Sequence, residues 1–146
     1  MIGLLQRVAR AHVEVNGKTI ASIERGLLVL VGVERNDGED QAQRLLDKIL
    51  GYRVFPDESG RMNLSLLDIG GGLLLVPQFT LAADTRKGTR ASFTPAAEPE
   101  TGRRLFGHLL EHAQRLHANT ASGVFGAHMQ IGLVNDGPVT FLLQAR

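Results

Sequence analysis

The feature that most constrains the fold is a continuous apolar run, Leu27 to Val33, which directly follows Gly26. A strand with one face in water alternates apolar and polar residues, so an unbroken run rich in valine and leucine predicts a strand buried on both faces. A shorter apolar run, Leu73 to Val76, follows three consecutive glycines and predicts another strand. Both runs are far too short to span a bilayer. We therefore expect a core strand over 27–33 and no membrane-spanning segment.

Local patterning predicts the surrounding elements. Residues 1–15 alternate loosely, and Asn16-Gly17 offers the positive backbone angles of a tight turn before residues 18–23, which predicts a β-hairpin. Apolar residues at helical spacing predict one amphipathic helix from Asp40 to Gly51 and a second from Thr101 to Asn119. Further short strands are expected over 52–55, 62–66, 123–134 and 139–143.

These elements and the chain length of 146 residues predict one domain over residues 1–146. Its expected fold class is α+β, with a mainly antiparallel, barrel-like β-sheet and two principal helices. The chain contains no cysteine, which excludes disulfides, thiolate zinc sites and a cysteine nucleophile. Because the first residues lack the charge and cleavage pattern of a signal peptide, we expect a soluble protein of the cytoplasm.

The charge balance limits the kind of nucleic-acid contact that this chain can make. A formal net charge of +1 excludes a protein that coats nucleic acid through a large basic surface. A nucleic-acid partner would need a local patch, and the best candidate is Arg86, Lys87 and Arg90, in a segment with little apolar periodicity. The competing interpretation of this segment is a solvated loop without a partner.

One motif of the second predicted helix imitates a metalloenzyme. His108, Glu111 and His112 match the spacing of inverted zinc peptidases, and residues four apart share a helix face. No distant cluster of ligands stands out in the sequence, so we interpret this face as hydrated and expect no metal or other cofactor. The three glycines at 70–72 lack the lysine and following helix of a phosphate-binding loop, and we interpret them as a turn.

Two motifs stand out together: Gln78-Phe79-Thr80-Leu81 and Asn135-Asp136-Gly137-Pro138-Val139-Thr140. They resemble the signatures of the D-aminoacyl-tRNA deacylases, the family that includes D-tyrosyl-tRNA deacylase. Further similar segments occur in order along essentially the whole chain: 6–8, 27–34, 51–53, 62–64, 83–85 and 129–130. The chain departs from the family pattern at Pro77, where a serine is usual, and at Ala91, where a proline is usual.

The resemblance implies a hydrolase that cleaves the ester joining a D-amino acid, or glycine mischarged on other tRNAs, to the terminal ribose of tRNA. This activity would serve chiral proofreading in translation. The resemblance also implies a homodimer with its active sites at the interface, where a Gly-cis-Pro pair of one protomer projects into the pocket of the other. The implied catalytic residues are Gln78, Phe79 and Thr80. The implied binding residues are Gly137, Pro138, Met129, Arg7 and Phe93 for the substrate, and Arg86, Lys87 and Arg90 for the acceptor end of tRNA.

These residue types fit the chemistry that the resemblance implies. Carbonyl oxygens of Gly137 and Pro138 would accept the substrate ammonium, and backbone donors around residues 78–80 would stabilise the oxyanion formed as water attacks. With ammonium, ester and ribose fixed, an L side chain would meet the Gly-Pro wall, whereas a D side chain or glycine would not. The terminal adenosine would stack near Phe79 or Phe93, and the basic loop would reach phosphates.

The identity of the nucleophile stays open at this point. Thr80 is the obvious side-chain candidate, but no base is matched to it in the sequence. We therefore favour a mechanism in which backbone groups orient the ester and a water or the vicinal ribose hydroxyl performs the chemistry. The alternatives to a deacylase are a noncatalytic tRNA-binding module and the zinc peptidase described above.

Overall fold

The computed structural model describes residues 1–146. Eight β-strands, three α-helices and one 3₁₀ turn follow one another along the chain. The strands are β1 (Ile2–Val15), β2 (Lys18–Ile23), β3 (Gly26–Gly32), β4 (Phe55–Pro56), β5 (Met62–Leu64), β6 (Gly72–Pro77), β7 (Thr120–Ser122) and β8 (Gln130–Gln144). The helices are α1 (Glu39–Gly51), α2 (Leu66–Ile69) and α3 (Pro99–Leu116), and the 3₁₀ turn is Phe79–Ala82.

Strand β1 organises the sheet because it has partners on both edges. On one edge it pairs with β3 and then β2, and on the other with β8 over almost its full length, always antiparallel. Two parallel pairings, β3 with β6 and β6 with β7, extend the sheet beyond β3. The result is a nearly closed, barrel-like mixed sheet. The expected α+β class with mainly antiparallel pairing is confirmed.

The two apolar runs of the sequence form the adjacent parallel strands β3 and β6. Leu27, Leu73 and Leu75 have no exposed surface, so the predicted core strand is confirmed. The two strands begin with a close backbone approach, because a Cβ on Gly26 would lie 1.9 Å from the carbonyl oxygen of Gly72. Only glycine fits at that position. The helices α1 and α3 pack against each other and contribute to the same core.

The hairpin and the two principal helices match their sequence predictions. Asn16 and Gly17 take φ angles of 51° and 77° between β1 and β2, as a tight hairpin turn requires. The helices α1 and α3 carry their apolar stripes as expected, with bounds that differ by a few residues from the prediction. Neither they nor α2 combine the length and apolarity needed to cross a membrane.

A strand predicted to continue to residue 66 is wrong beyond Leu64. Ser65 accepts a hydrogen bond from the amide of Asp68 at 3.1 Å, and the Asp68 carboxylate accepts one from the amide of Ser65 at 2.8 Å. This reciprocal capping box starts a helix, which the local pattern of leucines and a β-branched residue did not indicate.

The prediction of two separate final strands, over 123–134 and 139–143, is also wrong. Residues 123–129 are irregular, and a single strand, β8, then runs through the second motif. It keeps the same antiparallel partner before and after Asn135–Pro138. The motif is therefore a bulge in one long strand, and the expected turn between two strands is absent.

The first residue ties β1 to the segment between β3 and α1. The Met1 side chain is buried, and its ammonium donates to the carboxylates of Glu34 at 3.0 Å and Asp37 at 2.7 Å and to the carbonyl of Ala145 at 2.8 Å. The same segment contacts the cleft wall, because Glu34 forms a β-bridge with Ala96. The N-terminus of β1 and residues 96–97 are thus held by the same segment.

Candidate active site

A mainly apolar cleft of about 270 Å³ opens beyond the carboxyl ends of β3 and β6. Its walls come from four parts of the chain: the end of β3, the first motif, the start of α3 and the segment after β7. None of the lining side chains carries a charge. They are Val31, Val33, Pro77, Gln78, Phe79, Ala97, Pro99, Gly102, Phe106, Phe125 and Gly126. Such a cleft suits a flat, uncharged group.

The first motif borders this cleft at Gln78 and Phe79, and its backbone is held by hydrogen bonds. The amide of Gln78 donates to the carbonyl of Val31 at 2.7 Å, which fixes the end of β6 against β3. The amide of Leu81 donates to the carbonyl of Gln78 at 3.2 Å and closes the 3₁₀ turn. The amides of Phe79 and Thr80 lie outside this pattern, as the first N–H groups of a helix do. The motif therefore presents two adjacent backbone donors.

The side chains of the first motif are largely exposed. Phe79 is 60% exposed, and its ring centroid lies 5.2 Å from that of Phe93, which is 45% exposed. The side-chain amide of Gln78 donates to the Thr80 hydroxyl at 2.5 Å. No carboxylate or imidazole is hydrogen-bonded to that hydroxyl. Thr80 thus has an amide partner and no base.

Met129 reaches the same region from the segment before β8. Its sulfur lies 3.4 Å from the amide nitrogen of Val124. A Cβ on Gly123 would lie 2.7 Å from this sulfur and 3.5 Å from the Pro77 ring. The amide of Gly123 in turn donates to the carbonyl of Leu75 at 2.9 Å. Gly123 therefore leaves the space in which Met129 sits beside the start of the first motif.

The second motif forms a projecting loop braced by its own asparagine. Asn135 pairs with Val8 of β1 and Thr140 pairs with Gln6, so residues 136–139 have no partner on β1. The Asn135 side-chain amide donates to the carbonyl of Val139 at 2.9 Å, and its oxygen accepts from the Val139 amide at 3.0 Å. The side chain thus closes the base of the loop.

Arg7 anchors this loop from the β1 side. Its side chain is only 13% exposed, and it donates to the carbonyl of Asp136 at 2.8 Å and to that of Val54 at 2.7 Å. Gly137 and Pro138 are exposed at the tip, and the bond between them is cis. In this chain, Arg7 holds the second motif and does not line the cleft.

Within one chain the two motifs do not meet. The strand order β8–β1–β3–β6 places β8 and the end of β6 three strand spacings apart, which is about 14 Å along the sheet. No residue of the segment 135–140 lines the cleft. Each motif therefore lies on its own surface of the chain.

The basic loop after the first motif is closed by an ion pair. Arg86 donates to both carboxylate oxygens of Asp84, at 2.9 and 2.7 Å, and the backbones of Asp84 and Ser92 pair. Hydrogen bonds from the Arg86 side chain and amide hold the pKa of the Asp84 carboxyl well below its usual range. Lys87 and Arg90 are exposed on the same loop. Of the three basic residues, Arg86 is thus engaged within the chain.

The two histidines of α3, His108 and His112, are not joined by a third potential metal ligand. The rings of His108 and His112 lie 4.2 Å apart, while Glu111 is paired with Arg115 at 2.9 Å. His108 is also 4.0 Å from Glu39 of α1. No group of three histidine, cysteine, aspartate or glutamate side chains comes together in the structure.

Sequence reasoning missed the walls of the cleft. Phe106 belongs to the apolar stripe of the second predicted helix and is indeed buried in the core, and Phe125 lies in a segment predicted to be a strand. Both line the cleft together with Gly102, where an added Cβ would lie 3.3 Å from the Phe125 ring. The only local signal was an aromatic residue followed by Gly126, which is too common to indicate a pocket.

Comparisons with known proteins extend along the whole chain. The family model described as D-Tyr-tRNA(Tyr) deacylase matches residues 4–144. The D-aminoacyl-tRNA deacylase of Thioalkalivibrio sulfidiphilus (strain HL-EbGR7) is 67% identical over 144 residues, which are 99% of this chain and 97% of that protein. The protein of the same name from Alkalilimnicola ehrlichii (strain ATCC BAA-1101 / DSM 17681 / MLHE-1) is 64% identical over 146 residues, 100% of this chain and 97% of that protein. A solved structure described as c-Myc DNA Unwinding Element Binding Protein superposes with a TM-score of 0.96 at 37% identity, covering 100% of this chain and 99% of that chain.

Proposed function

The chain belongs to the D-Tyr-tRNA(Tyr) deacylase family, and from that premise we propose how it hydrolyses the ester bond of D-aminoacyl-tRNA. One observation carries the proposal: the site is divided into two halves that do not meet within one chain. The cleft offers free amide donors beside an uncharged cavity, and the loop at Gly137-Pro138 offers exposed backbone at its tip. Two copies of the chain complete each other's site.

The free edge of β8 supports a homodimer. β8 pairs only with β1, so its outer edge presents unpaired backbone groups along a 15-residue strand. The apolar side chains of Leu133, Val134 and Leu142 are 36%, 40% and 58% exposed on this strand. A long, apolar, unpaired edge is a template for another chain. A twofold axis beside it would use the same surface of both copies and carry each second motif toward the partner's cleft.

The second motif binds the substrate ammonium in this arrangement. Residues 136–139 have no strand partner, so the carbonyl oxygens of Gly137 and Pro138 are available as acceptors at the tip of the loop. Hydrogen bonds from an ammonium to carbonyl oxygens are charge-assisted and directional. Because this contact fixes the α-carbon against a backbone wall, an L side chain collides with the wall while a D side chain points away from it. Glycine has no side chain to exclude and is accepted.

The first motif stabilises the charge that develops on the ester. The amides of Phe79 and Thr80 are the donors that the 3₁₀ turn leaves free, and they face the developing oxyanion. Water adds to the carbonyl carbon, the bond to the ribose oxygen breaks, and that oxygen takes up a proton, which releases free amino acid and tRNA. The vicinal ribose hydroxyl can relay the proton without a side-chain base.

The cleft receives the terminal adenosine. Its lining is uncharged and includes the rings of Phe79, Phe106 and Phe125, and its volume of about 270 Å³ suits a stacked base. Lys87 and Arg90, which have no role in closing their loop, contact the phosphates of the acceptor stem. Because its substrate is aminoacyl-tRNA, the protein acts in the cytoplasm. No cofactor enters this mechanism.

A deacylation assay with matched substrates tests the proposal. D-tyrosyl-tRNA and glycine mischarged on a noncognate tRNA are expected to be hydrolysed, while L-tyrosyl-tRNA stays intact. Hydrolysis of the L and D esters at equal rates would remove the steric wall from the mechanism. Binding of tRNA without any turnover would instead identify a noncatalytic tRNA-binding module. Unchanged turnover in chelator and in His112→Ala is expected and separates the mechanism from zinc-dependent hydrolysis.

A further inference from the structure

Arg103 lies at the rim of the cleft, although it is not among the lining residues. It follows Gly102 on α3, and its guanidinium carbon sits 4.9 Å from the centroid of the Phe125 ring. A Cβ on Gly126 would lie 3.5 Å from one of its terminal nitrogens. Arg103 is exposed to solvent, whereas Phe125 is half-buried. The guanidinium therefore covers an aromatic wall of the cleft from the outside.

Arg103 also lacks a carboxylate partner of the kind that Arg104 and Arg86 have. Arg104, the next residue, pairs with Glu39 at 3.4 Å, and Arg86 pairs with Asp84 at 2.7 Å. A guanidinium that stacks on an aromatic face keeps its in-plane N–H donors free. These donors match the oxygens of a phosphate and bind it through two parallel hydrogen bonds. Arg103 is thus a preoriented anion-binding group beside a cleft without charge.

We propose that Arg103 is a positioning residue that binds the backbone phosphate on the 5′ side of the terminal adenosine of the tRNA. This inference rests on the proposed function, in which the adenosine occupies the cleft. A base and ribose held in an uncharged cleft leave the adjoining phosphate as the first charged group at its rim. Since the contact is to the backbone, it positions the acceptor end of every tRNA and selects none by sequence.

Two substrates and two neighbouring arginines give a matched test. Arg103→Gln is compared with Arg104→Gln on D-tyrosyl-tRNA and on D-tyrosyl-adenosine, an ester that lacks the phosphate. On the tRNA substrate, Arg103→Gln is expected to raise KM about tenfold without changing kcat, as expected for loss of one charge-assisted contact. The slope of log KM against log salt is expected to fall by roughly 0.7 to 1. Hydrolysis of D-tyrosyl-adenosine is expected to stay unchanged, and Arg104→Gln is expected to change neither substrate.

Three results would overturn the inference. An equal loss on both substrates would show that Arg103 acts on the base or through the Phe125 wall, and an unchanged KM and salt slope on tRNA would show that it makes no contact. Arg103→Lys keeps the charge without the planar fork, so an intermediate KM with the full salt slope is expected, and a KM equal to that of Arg103→Gln would also contradict the inference. Failure of the proposed function is distinct, because the unaltered protein would then leave D-tyrosyl-tRNA intact.

Discussion

The two motifs differ in what surrounds them. Gln78–Leu81 is folded into its own chain, with the Gln78 amide held by β3 and the cleft at its side. The tip of the second motif, at Gly137 and Pro138, is exposed and is held only from its base by Arg7 and Asn135. The cleft has donors and a cavity, whereas the loop has free carbonyl oxygens and no cavity. The loop is firmly anchored at its base and open on its outer side, so its tip is free to contact another surface.

The largest effect is expected when either motif is damaged. A Cβ on Gly137 would lie 2.4 Å from the Val139 nitrogen, so Gly137→Ala displaces the tip of the loop. A misplacement of about 1 Å at a reacting site costs about 100-fold in kcat/KM. Phe79→Pro, which removes one of the two free amides, is expected to cost a similar factor. Deacylation of D-tyrosyl-tRNA by each variant measures both effects.

Mixing these two variants separates a shared site from two independent ones. If the motifs meet across a dimer, a mixed dimer contains one site with both motifs intact, and exchange of subunits restores about a quarter of the activity of the unaltered protein. The control is each variant mixed with itself. A mixture that stays inactive after verified subunit exchange would instead place both motifs in a site within one chain.

The anchor of the projecting loop can be broken without touching its tip. Arg7→Met removes hydrogen bonds to the carbonyls of Asp136 and Val54, at 2.8 and 2.7 Å. Because hydrogen bonds to charged donors are worth roughly 1.5–3 kcal/mol, kcat/KM is expected to fall roughly 30-fold. Arg10→Met, an exposed position on the same strand, is the control and is expected to be silent. Equal activity of both variants would mean that Asn135 alone holds the loop.

The proposed dimer surface on β8 can be tested by introducing a charge. Leu142→Lys places a cation on the exposed face of β8, and it is expected to weaken the dimer and to lower activity about tenfold at submicromolar protein, with recovery at higher concentration. Leu116→Lys on α3 is a matched control because Leu116 is 57% exposed and Leu142 is 58% exposed. Sedimentation at several concentrations measures the association. Two variants with the same oligomeric state would exclude β8 as the interface.

A small effect is expected at Thr80, the side-chain candidate for a nucleophile. Thr80→Val removes the hydroxyl but keeps the backbone amide, so kcat is expected to change by less than about threefold if the amides do the work. Single-turnover hydrolysis of D-tyrosyl-tRNA measures the chemical step. A 100-fold loss with folding and tRNA binding intact would assign the hydroxyl a direct role and leave the second motif's part in binding unaffected.

Local patterns predicted the fold wherever a few residues decide the structure. The Asn16-Gly17 turn, the two helices and the apolar strands all follow from periodicity or turn chemistry within one element. The bulge at Asn135–Pro138 does not follow from local patterning. Asparagine, aspartate, glycine and proline in sequence indicate a turn, and the same residues can form a bulge within one strand. Between Gln6 and Val8 of β1, the paired positions on β8 run from Thr140 to Asn135. Only the pairing with β1, which is distant in sequence, shows that β8 continues in the same direction after the bulge.

The site was predicted only in part, and on a different basis from the fold. Its motif residues were identified by resemblance, and the structure places Gln78, Phe79 and Phe93 on one surface and Gly137 and Pro138 on another. The aromatic walls of the cleft, such as Phe125, come from elements distant in sequence and carry no local mark. The role of Arg7 as an anchor for Asp136 likewise depends on strands more than 100 residues apart meeting in the sheet.

Lowering the pH is expected to weaken the contacts beside the cleft more than those that hold the loop of the second motif. Burial alone would raise the pKa of Glu34, but the hydrogen bond and charge of the Met1 ammonium, together with Arg146, outweigh it and lower the pKa below its ordinary value of 4.5. The stability contributed by Glu34 is therefore fully present above about pH 4.5 and is lost as the pH falls through its folded-state pKa. The loop anchor is different in kind, because the Arg7 side chain donates to the backbone carbonyl oxygens of Asp136 and Val54.

Hydrogen exchange can follow both regions in one experiment. The Ala97 amide, bonded to the Val33 carbonyl at 3.0 Å, reports on the cleft wall beside Glu34, and the Val139 amide, bonded to Asn135 at 3.0 Å, reports on the loop. Between pH 6 and 3.5, the protection factor of Ala97 is expected to fall modestly while that of Val139 stays constant. Glu34→Gln removes the ionised state of this side chain at every pH and should reduce the pH dependence of the protection of Ala97. A parallel fall at both amides would show that acid loosens the whole fold, because only separate anchoring lets one region open while the other holds.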